Sequence, residues 1–126
     1  MKITSFNPLI VTPEPEKLVK LFEALGFEQR HHIKDADSSD MNICDIRMSD
    51  ANGFHVDIAS TANTKQDLTL IRMNVDDFDE AFQFLKDKGF TNPSGRVIEN
   101  KYSKSAMVCS PSGFGFDLCQ HIKDHD

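Results

Sequence analysis

The second half of this chain restates its first, and that constrains the fold more than any other feature. Val11 leads through an amphipathic stretch into Gly26-Phe27, and Val75 leads through another into Gly89-Phe90. Further on, Gly53-Phe54-His55-Val56-Asp57-Ile58 is answered by Gly113-Phe114-Gly115-Phe116-Asp117-Leu118. A tandem unit of about sixty residues buries its apolar faces jointly with its copy, so the seam between copies is the natural place for a cleft.

Each copy reads as a strand, a helix and three further strands. Residues 3–11 and 68–75 carry strand-type alternation. Thr12-Pro13-Glu14-Pro15 and Asp76-Asp77 supply helix-start chemistry, Thr12 as the cap in the first copy. Leu18, Leu21, Phe22 and Leu25 form one helical stripe ended by Gly26, and Phe78, Ala81, Phe82 and Leu85 form another ended by Gly89. Strand-like runs follow at 27–34, 41–49 and 53–60, then at 94–100, 104–110 and 113–121. Turns of the Asn-Gly and Pro-Ser-Gly type close the last hairpin of each copy. Residues 35–40 make an acidic loop, 61–66 the linker and 122–126 a polar tail. The expectation is one α+β domain over 1–126, made of βαβββ modules 1–62 and 66–121.

Charge and cysteine content exclude several partners. The net charge of −6 divides into −4 for residues 1–63 (6 basic, 10 acidic) and −2 for 64–126 (8 basic, 10 acidic). With no Lys/Arg cluster, neither nucleic acid nor an anionic membrane surface is an expected partner. Cys44, Cys109 and Cys119 form no CxxC pair, which argues against a disulfide framework and against a zinc ribbon. With no leader-like or membrane-length apolar segment, the expected location is the cytoplasm.

Two βαβββ units with these Gly-Phe and Gly-x-x-x-Asp-Leu signposts resemble the vicinal oxygen chelate superfamily, which includes glyoxalase I, bleomycin-resistance proteins and extradiol dioxygenases. The resemblance spans essentially the whole chain. It implies a curled, barrel-like mixed sheet with helices outside, commonly completed in a homodimer. It also implies four metal-holding positions, a first-strand His and a last-strand Glu in each copy. Counting from the valine before each helix puts the first-strand positions at Phe6 and Leu70, and counting from each hairpin glycine puts the last-strand positions at Asp57 and Asp117. Two carboxylates are kept, each shortened by a methylene, while Phe and Leu donate nothing. A one-residue slip brings Asn7 or Ile71 to the first-strand positions and restores no histidine pair. A tightly held divalent metal is therefore not expected, with Asp57 and Asp117 its only weak candidate ligands.

Strand alternation then assigns the lining of the expected cleft. Phe54, Val56 and Ile58 face the first helix, leaving His55, Asp57 and Ala59 inward. Phe114, Phe116 and Leu118 face the second helix, leaving Gly115, Asp117, Cys119 and His121 inward. Phe6, Pro8 and Ile10 point inward from the first strand, and Leu70, Arg72 and Asn74 from its counterpart. The expected ligand-binding set is thus Phe6, His55, Asp57, Leu70, Arg72, Asn74, Asp117 and His121. His55 and Asp57, about 7 Å apart along one strand face, read either as a base with its carboxylate or as a pair satisfying buried polarity. Arg72 reads either as a clamp for an anionic ligand or as a salt bridge to Asp57 or Asp117. His31 and His32, adjacent on a strand, cannot share one ion and read as a surface pair. The spacing of His121 and His125 carries no meaning in a tail. Cys119 reads as an inert buried thiol.

The functional expectation is a homodimeric protein that binds a small organic molecule without a tightly bound catalytic metal. The alternative is a divalent-metal-dependent lyase, isomerase or dioxygenase that uses Asp57 and Asp117, with His55 a further catalytic candidate.

Overall fold

The computed structural model describes residues 1–34, 44–61 and 65–121, with the backbone alone at 31–34 and 44. The acidic loop, residues 41–43 of the second expected run, linker residues 62–64, the tail with His125, and the side chains of His31, His32 and Cys44 lie outside the described residues. The element order is β1 (Ile3–Thr12), α1 (Pro15–Ala24), β2 (Glu28–Lys34), β3 (Cys44–Ser49), β4 (His55–Ser60), β5 (Leu68–Val75), α2 (Phe78–Asp87), β6 (Ile98–Glu99), β7 (Ser103–Cys109) and β8 (Gly115–His121). This is the α+β arrangement of two βαβββ modules that the repeat predicts. The chain forms two compact units, residues 7–69 and residues 1–6 with 70–126. No described helix is long and apolar enough to cross a membrane.

In the 7–69 unit the strands run in the order β2-β3-β4-β1, with β4 antiparallel to β3 and parallel to β1. Val19, Ile46, Met48, Val56 and Ile58 form the core between α1 and this sheet, with Ile10, Leu18, Phe22 and Phe27 packed against it. The expected α1 stripe is half right. Leu21 and Leu25 are exposed, and Val19 is the buried residue of the helix. The cause is the helix end. Gly26 adopts φ 103°, and the Phe27 N–H bonds back to the Phe22 carbonyl at 2.9 Å. This closure brings the Phe27 ring against Phe22, centroids 5.4 Å apart, in the place Leu25 was expected to fill.

Thr12 also departs from expectation. The cap position of α1 is Glu14, which makes no side-chain cap. Thr12 is buried at the end of β1, where its hydroxyl accepts from the Glu14 N–H at 3.0 Å and donates to Asp67 Oδ1 at 2.7 Å.

In the other unit the order is β5-β8-β7-β6, with β8 parallel to β5 and antiparallel to β7. The start of β1 lies beside β5, held by the Asp76 N–H to the Lys2 carbonyl at 3.0 Å. Met73, Val75, Phe78, Ala81, Leu85, Ala106, Val108 and Leu118 make the core, with Phe82, Phe90 and Phe116 against it. Every residue of the expected α2 stripe is among them. Asp77 caps α2 by accepting from the Glu80 N–H at 3.0 Å, and Gln120 Oε1 of β8 takes the Phe78 N–H at 2.6 Å. Lys104 on β7 bonds Asp79 at 2.8 Å, which raises its pKa, and lies 5.3 Å from the centroid of the Phe78 ring.

The strand expected at 94–100 shrinks to Ile98–Glu99. Asn92 folds the preceding segment over itself, accepting the Gly95 N–H on its carbonyl and donating its side-chain amide to the Arg96 carbonyl. The last hairpins of the two copies close alike. Asp50 and Ser110 each bond the residue four further on through the backbone, and their side chains take that residue's N–H as well. Both turns need a left-handed residue, supplied by Gly53 at φ 88° and Gly113 at φ 104°.

Candidate functional site

Each unit has one sheet face under its helix and one turned away from it, and the chemistry lies on the latter. In the 7–69 unit, Val56 and Ile58 face α1, so His55, Asp57 and Ala59 lie opposite, as alternation predicts. Asp57 is 1% exposed, and Arg47 grips it with Nε to Oδ1 at 2.9 Å and Nη2 to Oδ2 at 3.1 Å. Such a fork matches a carboxylate in both charge and shape. The sequence reading found the carboxylate and missed this arginine. Its signal was present: the turn at 50–53 sets Ser49 opposite His55, so counting back two residues sets Arg47 opposite Asp57. His55 is half-buried, and its Nε2 is sealed from solvent with no hydrogen-bond partner among the described residues. Asn7 on β1 is buried, and its Oδ1 is likewise unmatched.

In the other unit Met73 and Val75 face α2, placing Leu70, Arg72 and Asn74 on the far face. Arg72 lies directly across from Asp117 and bonds it, Nε to Oδ2, at 2.9 Å. The salt bridge to Asp117 that was one reading of Arg72 is present. Asn74 is buried, donates to the Ser5 hydroxyl at 2.5 Å, and keeps an unmatched Oδ1. Cys119 sits across from Asn74, its thiol 3.7 Å from the Asp117 carbonyl. His121 ends β8 in an exposed position opposite Ser103.

Four placements are corrected. Phe6 is not on the Asp117 face, because its ring meets the edge of Phe116, centroids 6.5 Å apart, and Phe116 packs against the α2 core. Ile10 belongs to the α1 core and not to the opposite face. Phe54 is 68% exposed rather than packed on a helix, and Phe114 stands edge-on to Phe116 at the hairpin end. The first two share one cause. Strands β1 and β5 end at Thr12 and Val75, each three residues before its helix, so Thr12 and not Val11 is the counterpart of Val75. The counterpart of Leu70 is then Asn7, and the even-numbered residues Phe6 and Ile10 turn to the helix side.

Leu70 covers Gly115. A Cβ on Gly115 would stand 2.6 Å from Leu70 Cδ2. Gly115→Ala therefore requires the half-buried Leu70 side chain to swing aside, at a cost expected near or below about 1 kcal/mol. The double change Gly115→Ala/Leu70→Ala should lose less than the sum of the two single changes in urea unfolding, because the second removes the clash.

The resemblance raises the question of a divalent metal, and both candidate carboxylates already have guanidinium partners. One carboxylate is held at both oxygens by a guanidinium and the other at one. Among the described residues no three His, Cys, Asp or Glu side chains form a group able to hold an ion.

No family model and no curated protein matches this chain in sequence. Solved structures do match in fold. A methylmalonyl-CoA epimerase superposes with a TM-score of 0.64 at 14% identity, covering 98% of this chain and 99% of its own. A glyoxalase I variant from Zea mays gives 0.69 at 16% identity, covering 96% of this chain and 44% of its own. A glyoxalase/bleomycin resistance protein/dioxygenase superfamily member from Vibrio splendidus gives 0.61 at 17% identity, covering 92% and 97%. The chain has the vicinal oxygen chelate fold.

Proposed function

We propose that this protein binds a small organic molecule on the helix-free faces of its sheet strands and does so without a tightly held catalytic metal. The observation behind this reading is the position of the unmatched polar atoms. Asn7 Oδ1, His55 Nε2 and Asn74 Oδ1 are all buried with no partner among the described residues, and all three belong to faces turned away from α1 and α2. Each such atom costs a folded chain about 1–3 kcal/mol, a cost that a ligand hydrogen bond removes. Binding of this kind needs shape and a few polar anchors, and no activated water. The pairing of Asp57 with Arg47 and of Asp117 with Arg72 supports the metal-free form, since a cation must displace a guanidinium at Asp57 and compete with one at Asp117.

Thermal unfolding against a panel of small organic molecules, together with elemental analysis of protein purified without chelators, tests this reading. A ligand at a hundred times its Kd is expected to add about 2.7 kcal/mol to stability, with metal well below one ion per chain. Stoichiometric nickel, zinc, iron or manganese would overturn the metal-free form and favour a metal-dependent lyase, isomerase or dioxygenase. A panel that leaves the melting temperature unmoved would remove the binding reading itself.

A further inference from the structure

The unit built from residues 1–6 and 70–126 specifies which ligand chemistry its helix-free face accepts; the inference rests on the small-molecule reading above. Asn74 is 4% exposed and points away from α2. Its Nδ2 is committed to the Ser5 hydroxyl, and its oxygen has no partner among the described residues. Exchanging the amide's oxygen and nitrogen would let the oxygen accept from the Ser5 hydroxyl and leave the NH2 unmatched instead. In either orientation one polar edge of a buried amide has no partner among the described residues. Its surroundings are graded along the strands. Cys119 and then Ser105 lie across from it. The next row is Arg72 with Asp117, joined at 2.9 Å, and beyond Asp117 stands Met107. Leu70, resting on Gly115, follows.

We infer that this face takes an uncharged organic molecule carrying a hydroxyl or primary amide, which bonds Asn74, with an apolar flank lying toward Leu70 and Met107. A hydroxyl and a carboxamide each donate and accept, so either one satisfies Asn74 in both amide orientations. An anion is disfavoured. The guanidinium on this face is already bonded to Asp117, and a ligand carboxylate would be brought beside the Asp117 carboxylate. A wholly apolar ligand leaves Asn74 as unsatisfied as before.

The test uses four probes of nearly one size on the full-length 15N-labelled protein: benzyl alcohol, benzamide, benzoate and toluene. Benzyl alcohol and benzamide are expected to move the Asn74 side-chain NH2 resonances along a saturable curve. Benzoate should leave them in place, and toluene should bind more weakly than either polar probe. Asn74→Leu identifies those resonances by their loss and should weaken benzyl alcohol and benzamide at least tenfold while sparing toluene. Should that variant fail to fold, triple-resonance assignment of the 13C,15N-labelled wild-type protein identifies the Asn74 NH2 pair, and the wild-type titrations then decide by themselves. Benzoate binding at Asn74 as tightly as benzyl alcohol overturns the inference. So does saturable binding of the neutral probes that leaves Asn74 unmoved, although the small-molecule reading then survives. If no probe binds and the broad panel also leaves the melting temperature unchanged, both fall together.

Discussion

Arg47→Ala is expected to lower the unfolding free energy by about 3 kcal/mol, which in a chain of this size corresponds to a fall in Tm of roughly 10 °C. The reason is the asymmetry of the pair. Asp57 is 1% exposed, whereas the Arg47 side chain is 38% exposed, so losing the arginine strips a buried carboxylate of the fork that holds both its oxygens. Partial exposure of the arginine screens the interaction and places the estimate at the low end for broken buried pairs, about 3–5 kcal/mol. Replacing both members with apolar residues, as in Arg47→Met/Asp57→Leu, removes the buried carboxylate together with its fork and should recover part of the loss. Denaturant unfolding of both variants checks this. A loss below about 1 kcal/mol for Arg47→Ala would mean the pair behaves as a surface ion pair, and Asp57 would then return as a candidate for direct ligand contact.

Phe78→Ala is expected to cost more, about 4 kcal/mol. Phe78 is 1% exposed and sits where α2 begins, its ring stacked on Phe82 at 5.3 Å and approached by the Lys104 ammonium. Alanine keeps the backbone bond to Gln120 but leaves a cavity at the centre of the α2 core, and the cation loses the ring it lies over. The damage should be local. Amide exchange in α2 is expected to quicken while exchange in α1 holds, because the two helices have separate cores. Equal loss of protection in both helices would show instead that the units unfold as one.

The repeat, the two helices and the period of the strands were legible because they are carried by apolar residues at regular spacing. The buried polar positions were not. Val11 resembles Val75, and aligning the two shifted the first strand by one residue. The place equivalent to Val75 is held by Thr12, which tolerates burial because Glu14 and Asp67 satisfy its hydroxyl. No periodicity announces a threonine that is apolar in position and polar in chemistry. Leu25 looked like the end of a helical stripe, but the backbone closure at Gly26 gives that packing to Phe27. Asp57 and Asp117 were found as a matched pair from the Gly-x-x-x-Asp spacing. Their partners are unmatched: Arg47 reaches across a hairpin, and Arg72 comes from the parallel strand on the other side, where the equivalent residues are Met107 and Leu9.

That mirrored placement of the two arginines affects the order of assembly. Arg47 and Asp57 are ten residues apart in the chain, and Arg72 and Asp117 are 45 apart. Loop closure grows with the logarithm of length, so the second pair costs about 1.3 kcal/mol more chain entropy to bring together than the first. The hairpin pair can form as soon as β3 and β4 meet, while its counterpart must wait for β8 to return past α2, β6 and β7 to β5. Two carboxylates inherited at equivalent places thus enter folding at different times, only because the neighbouring strand that carries the arginine differs between the copies.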